Sequence, residues 1–299
     1  MLVLNAGGRV TQLRFLPDGR LLIGLLRPTG VGAVECRRLD GGASLPLPFP
    51  GPDLWHRPNQ IALSPNGDRL YLAAGPLHTV AAADGTSLPC GYTGPAGAVI
   101  AAADGGRVVV SHVTVAGETV LTGLTADGDP VWEQRFPHPE HQFLAGFADA
   151  DRFLVVGGYA APRVVTHSFA AGAPVGEVRH PTRSIDQPQL SPDGRRLGVI
   201  GHGSLYVYAA HTPGKAGQIK GGQTFGNFVG FAFHPAGKTL AVIHGGPTLL
   251  KLYDLATLTL RTKLNWKVGP LTCVAYSADG LLGAVGTDDG RVVVWDADE

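Results

Sequence analysis

The stretch LTCVAYSADGLLGAVGTDDGRVVVWD, residues 271–296, carries three strand signals separated by two tight turns. LTCVAYS (271–277) alternates, Ala278-Asp279-Gly280 turns the chain, and LLGAVGT (281–287) is a second, mostly apolar run. Asp288-Asp289-Gly290 is a hairpin turn of the Asp-Gly kind, and RVVVWD (291–296) is a third strand. The first of these turns recurs upstream. FLPDGRLLIGLL stands at 15–26, LSPNGDRLYLAAG at 63–75, AAADGGRVVVSH at 101–112, LSPDGRRLGVIG at 190–201 and FHPAGKTLAVIH at 233–244. FADADRFLVVGG at 147–158 fills the remaining gap, with Ala150 where the others have glycine. From Gly19 through Gly67, Gly105, Ala150, Gly194 and Gly237 to Gly280 the mean of the six steps is about 43.5 residues, the period of propeller blades.

Seven such periods nearly exhaust the 299 residues, so one all-β domain spanning 1–299 is expected. It is a seven-bladed β-propeller of four-stranded antiparallel blades. The last period stops after three strands. The apolar run Leu2–Leu4, followed by the turn-like Asn5-Ala6-Gly7-Gly8, is expected to pair as its missing outer strand and close the ring. In the second period strands are expected near 58–64, 69–75 and 78–83, with an irregular fourth before Tyr92.

The composition fits this architecture and excludes several functions. The 43 glycines and 23 prolines punctuate turns between hydrophobic runs, and a 44% hydrophobic content supplies the core. Lys plus Arg equals Asp plus Glu, 24 each, without the basic excess of a nucleic-acid binder. No apolar run approaches the roughly 18 residues of a membrane span, so neither nucleic acid nor a membrane is expected as a partner. The start MLVLNAGGRV has no basic region or long apolar segment, so no secretory signal and a cytoplasmic location are expected. Cys36, Cys90 and Cys273 fall in separate repeats with no metal-ligand spacing, as expected of structural thiols in a reducing compartment.

GTDDGRVVVWD at 286–296 resembles the ending of a repeat of the WD-repeat (WD40) family. TLLKLYDLAT at 248–257 resembles the same ending with Tyr253 in the tryptophan position, and the SPDG, SPNG and SADG turns match the family's first hairpin. The resemblance covers the whole chain, with strong motifs in four or five repeats. It implies a seven-bladed propeller that, like most of the family, is a non-catalytic platform for other macromolecules. It also implies a structural hydrogen-bonded set of Asp, His, Ser/Thr and Trp in each blade. Thr287, Asp289 and Trp295 match three of those roles in the last repeat, whose loop Val268-Gly269-Pro270 lacks the histidine. His138 and His180 stand at about that place in the fourth and fifth repeats, which lack the tryptophan.

No motif for catalysis, a cofactor or a metal emerges. No pair among the eleven histidines has a zinc-site spacing, and PHPEH, with His138, Glu140 and His141, is at most a partial site. GKAGQIKGG (214–222) lacks the ending of a phosphate loop. Two surfaces remain. One is the face formed by loops entering the inner strands, with Trp55, His56, Arg57, Tyr92, His138, Arg179, Arg183, Phe225 and Trp266. Aromatic and Arg side chains on rigidly held loops favour a protein or peptide partner. The other is the channel mouth, where Asn59, Asp186 and Asn227, then Gln12, Gln60 and Gln187, occupy corresponding slots. Convergent polar groups there would suit the alternative: a metal or small-ligand binder, such as a lactonase-like hydrolase.

Overall fold

At each of the six turn glycines the chain makes the same pair of bonds. Gly280 N donates to Ser277 O at 3.0 Å and Ser277 N to Leu282 O at 2.9 Å. The equivalents at Gly19, Gly67, Gly105, Gly194 and Gly237 span 2.8–3.0 Å. All six have positive φ, between +68° and +82°, which is why glycine recurs there. Side chains complete the turn: Ser277 Oγ donates to Asp279 Oδ1 at 2.6 Å and accepts from Leu282 N at 2.9 Å. Ser191 with Asp193 repeats the arrangement at 2.5 Å, and Ser64 Oγ donates at 2.8 Å to Asp68, on the other side of the turn glycine. In blade four the strand register puts Asp151, and not Ala150 as expected, at the glycine position; there Asp149 Oδ1 takes over, accepting from Asp151 N at 3.0 Å and Arg152 N at 2.8 Å. The repeated phrase is therefore a self-satisfying hairpin.

These hairpins build seven four-stranded antiparallel sheets, six with their strands in chain order and the seventh completed by the N-terminal strand. The computed structural model describes residues 1–41, 44–47, 60–64, 66–73, 75–136, 142–157, 162–182, 185–211, 217–221, 228–244 and 248–297. The inner strands are Arg9–Phe15, Ile61–Leu63, Ala98–Ala101, Gln142–Phe147, Asp186–Leu190, Phe228–Phe233 and Leu271–Tyr276, for blades one to seven. Blade seven completes itself as its sequence requires: Leu2–Asn5 is its outer strand, antiparallel to Arg291–Asp296 with Leu2 opposite Val294 and Leu4 opposite Val292.

Blade two departs from expectation. Its third strand is Gly75–Ala81 and its outer strand is Pro95–Ala96, which lies after Tyr92 rather than before it. Two residues suffice there because the edge is satisfied otherwise: Ala81 N donates to Thr86 O and Leu88 N to Thr79 O, both at 2.8 Å.

The core is not one mass but seven apolar clusters, one at each junction between blades. Val10, Phe15, Leu21 and Ile23 of blade one meet Ala275, Ala284, Val292 and Val294 of blade seven. That junction, with Leu4 packed against it, closes the ring by side-chain burial as well as by backbone pairing.

Candidate functional site

Antiparallel order places the loops entering the inner strands on the same side as the turns between second and third strands. In blade seven the two meet: Asp288 N donates to Pro270 O at 2.9 Å, and Asp288 Oδ1 pairs with Arg9 Nε at 2.8 Å. Trp266, in the loop between blades six and seven, is half-buried, with its ring 5.2 Å from that of Trp295 and tilted by 40°. Lys267 follows it with φ +54°, exposed, its backbone N–H bonded to Asn265 Oδ1 at 2.9 Å. Arg179 ends the outer strand of blade four and is exposed.

Tyr92 does not belong to this face. It precedes the outer strand Pro95–Ala96, half-buried against the junction of blades two and three, and its hydroxyl donates to Pro95 O at 2.9 Å. The displacement follows from the late outer strand. Trp55, His56, Arg57, Asn59, His138, His141, Arg183, Phe225 and Asn227 lie outside the described residues.

Of the hydrogen-bonded set in blade seven, two members join. Thr287, fully buried, donates to Asp289 Oδ1 at 2.5 Å and accepts from Arg291 N at 2.8 Å. Hydrogen bonds from Arg291 and Thr287 hold the Asp289 carboxyl down to about 2. Trp295 instead packs among rings, over Gly283 and between Trp266 and Tyr276.

Register shows what replaces tryptophan elsewhere. Trp295 pairs with Gly283; the equivalent pairs are Leu197 with Tyr208, Leu240 with Tyr253 and Phe153 with His167. Tyr208 recovers the histidine partner: His180 Nδ1 lies 2.6 Å from its hydroxyl, in the loop before the inner strand. Tyr253 lies 3.4 Å from His244 Nε2, and His167 stacks on Phe153 at 5.1 Å. Burial pushes His180 and His244 down to about 4. Sequence reading had Tyr253 as a stand-in but missed Tyr208, although the same offset from the turn marks it.

Inside the ring a cavity of about 370 Å³ is lined by inner strands of blades one, five, six and seven, with Ile61 of blade two. Five inner strands carry a bulge, between Val10 and Gln12, Leu144 and Gly146, Asp186 and Gln189, Phe228 and Gly230, and Leu271 and Cys273. Bulged residues tie neighbouring blades: Gln187, at φ +48°, donates from Nε2 to Val229 O at 2.7 Å, and Thr272 Oγ1 donates to Val10 O at 2.5 Å. Gln12, Asp186 and Gln187 line the cavity, whereas Gln60 is buried. Arg14 lines it too, and sequence reading did not single it out.

Among the described residues one carboxylate-bearing side chain, Asp186, lines the cavity, with Arg9 and Arg14. Among the described residues no three His, Cys, Asp or Glu side chains stand together as metal ligands. Cys273 on the cavity wall has its thiol pushed up to about 12 by burial, so it is no thiolate nucleophile near neutral pH.

The family model described as "WD domain, G-beta repeat" matches residues 259–296, from the outer strand of blade six to the end of blade seven. The crystal structure of the Cps50 (Swd1) β-propeller domain of Myceliophteria thermophila is similar over 99% of each chain, with a TM-score of 0.74 and 14% identity. The chain has a WD40-like seven-bladed β-propeller fold. No curated protein sequence matches it. The matched repeat is the one that holds Thr287, Asp289 and Trp295, the WD40-like residues that most closely follow the family pattern.

Proposed function

We propose that this WD40-like propeller is a non-catalytic scaffold that binds a protein or peptide on the face formed by the loops entering its inner strands. WD40 propellers typically mediate protein interactions, and a stiff ring suits that task because little order is lost on binding. The observation that carries the reading is Trp266. Its ring is half-buried, held in place against Trp295, and followed by the exposed Lys267 on the same loop. An aromatic side chain already fixed at a face is the kind of anchor on which binding energy concentrates. Arg179, the last residue of the outer strand of blade four, adds an exposed cation where the chain leaves for blade five. Cys36, Cys90 and Cys273 are free, which suits the cytoplasmic location proposed with this role.

Photo-crosslinking separates this face from the rim. A crosslinker at Lys267 is expected to capture a discrete protein, while one at exposed Val175 on the outer strand of blade four captures none. With that protein purified, Lys267→Glu is expected to weaken binding about tenfold, or ~1.4 kcal/mol. Equal capture at both positions, or undiminished binding by Lys267→Glu, rejects the reading.

A further inference from the structure

Arg14 sits near the end of the inner strand of blade one and opens onto the central cavity. Among the described residues its guanidinium has no ion-pair or hydrogen-bond partner, and burial is what lowers its pKa. It nevertheless stays charged, because no shift of ordinary size brings a guanidinium to neutrality near pH 7. The other charges on the cavity wall are engaged. Arg9 is paired with Asp288 at 2.8 Å at the mouth. Asp186 is exposed, on a blade across the channel, and its Oδ1 accepts from Gln187 N at 2.8 Å. Among the described residues the cavity thus keeps one cation without an ion-pair partner, and the amide-bearing Gln189 lines the opposite wall on the same strand as Asp186.

Arg14 is half-buried, and a charge partly withdrawn from bulk water gains when a counter-charge neutralises it. The planar fork of a guanidinium matches two oxygens of one carboxylate or phosphate. A cavity of about 370 Å³ is the size of a small metabolite rather than of a peptide segment. We propose that the central channel binds a small organic anion, its carboxylate or phosphoryl oxygens paired with the Arg14 guanidinium and its far side bonded by the Gln189 amide. Asp186 opposes this anion by charge and tunes its affinity downward. The site lies inside the ring and uses none of the loop residues of the scaffold face, so the two readings fail independently.

The test is calorimetric titration of the full chain with citrate, inorganic phosphate and adenosine monophosphate, at ionic strength matched with sodium chloride. The expected result is saturable one-to-one binding of at least one probe. Arg14→Gln is expected to weaken it about tenfold or more, Arg9→Gln to change it less than about threefold, and Asp186→Asn to tighten it. No saturable binding of any probe overturns the proposal, as does equal affinity in Arg14→Gln. If Arg14→Gln does not fold, crystals of the wild-type chain grown with the tightest probe decide. Density for the anion against Arg14 supports the site, and its absence or its location elsewhere overturns it.

Discussion

His180 Nδ1 and the Tyr208 hydroxyl lie 2.6 Å apart, joining the loop before blade five to that blade's third strand. Tyr206 presses on the same imidazole edge-on, with ring centroids 4.7 Å apart. The Nε2 atom of that ring is buried without a partner among the described residues. Such a pocket accommodates a neutral imidazole and resists an imidazolium.

Acid should therefore weaken the propeller before its carboxylates titrate. His180 and His244 are both held down to about 4 by burial, against an ordinary value near 6.5. Between those values the unfolded chain binds protons that the folded chain refuses, so stability is full above about pH 6.5 and falls as pH drops towards 4. The loss is on the order of 2–3 kcal/mol per histidine. Denaturant unfolding at pH 7.5 and 4.5 measures it. His180→Phe should flatten part of the slope, and an unchanged slope in that variant would show that His180 does not contribute.

Gly283 and Trp295 face each other across the second and third strands of blade seven. A Cβ on Gly283 would stand 2.1 Å from the indole of Trp295. Gly283→Ala is expected to destabilise by about 1–3 kcal/mol through overpacking. In a Trp295→Leu background the same change should cost little, because the ring it strikes is gone. A thermodynamic double-mutant cycle reads the coupling, and simple additivity would contradict the contact.

How far the sequence could be read depends on which residues carry each feature. The turn glycines and their Ser and Asp partners act locally, so the ring and its closing strand were legible in full. The outer strand Pro95–Ala96 was not, because two residues with a proline leave no periodic signal, and Tyr92 was misplaced with it. Arg14 lies two residues beyond Gln12 and past the bulge at Thr11. The extra residue shifts the alternation only before Gln12; from Gln12, already placed at the channel, the regular period of two leads to Arg14, so the signal was present and was not followed along the strand. Tyr208 was legible but not read: it stands five residues after Gly203, as Trp295 does after Gly290, and the register with Leu197 bears the equivalence out.

Removing residues 1–5 tests how the ring is closed. Leu2–Asn5 covers the edge of Arg291–Asp296, and Leu4 packs against the cluster shared by blades seven and one. The deletion leaves an unpaired strand edge rich in valine, a ready template for association. A loss of at least ~3 kcal/mol and concentration-dependent light scattering are expected. Wild-type stability in the truncated chain would show that the side-chain cluster alone holds the ring.

The turn of blade four lacks glycine and should depend on a side chain where the others depend on backbone. Asp149 accepts from Asp151 N and Arg152 N through Oδ1, and from Arg152 Nε through Oδ2 at 2.7 Å. In blade five Asp193 makes a similar bond to Arg195 N at 3.0 Å, but Gly194, at φ +68°, already sets that turn. Asp149→Ala leaves two backbone donors without their acceptor and is expected to cost about 2 kcal/mol, whereas Asp193→Ala should cost about 1. Urea midpoints of the two variants make the comparison. Equal losses would mean that the aspartate acts alike in both turns and that glycine adds nothing to the second.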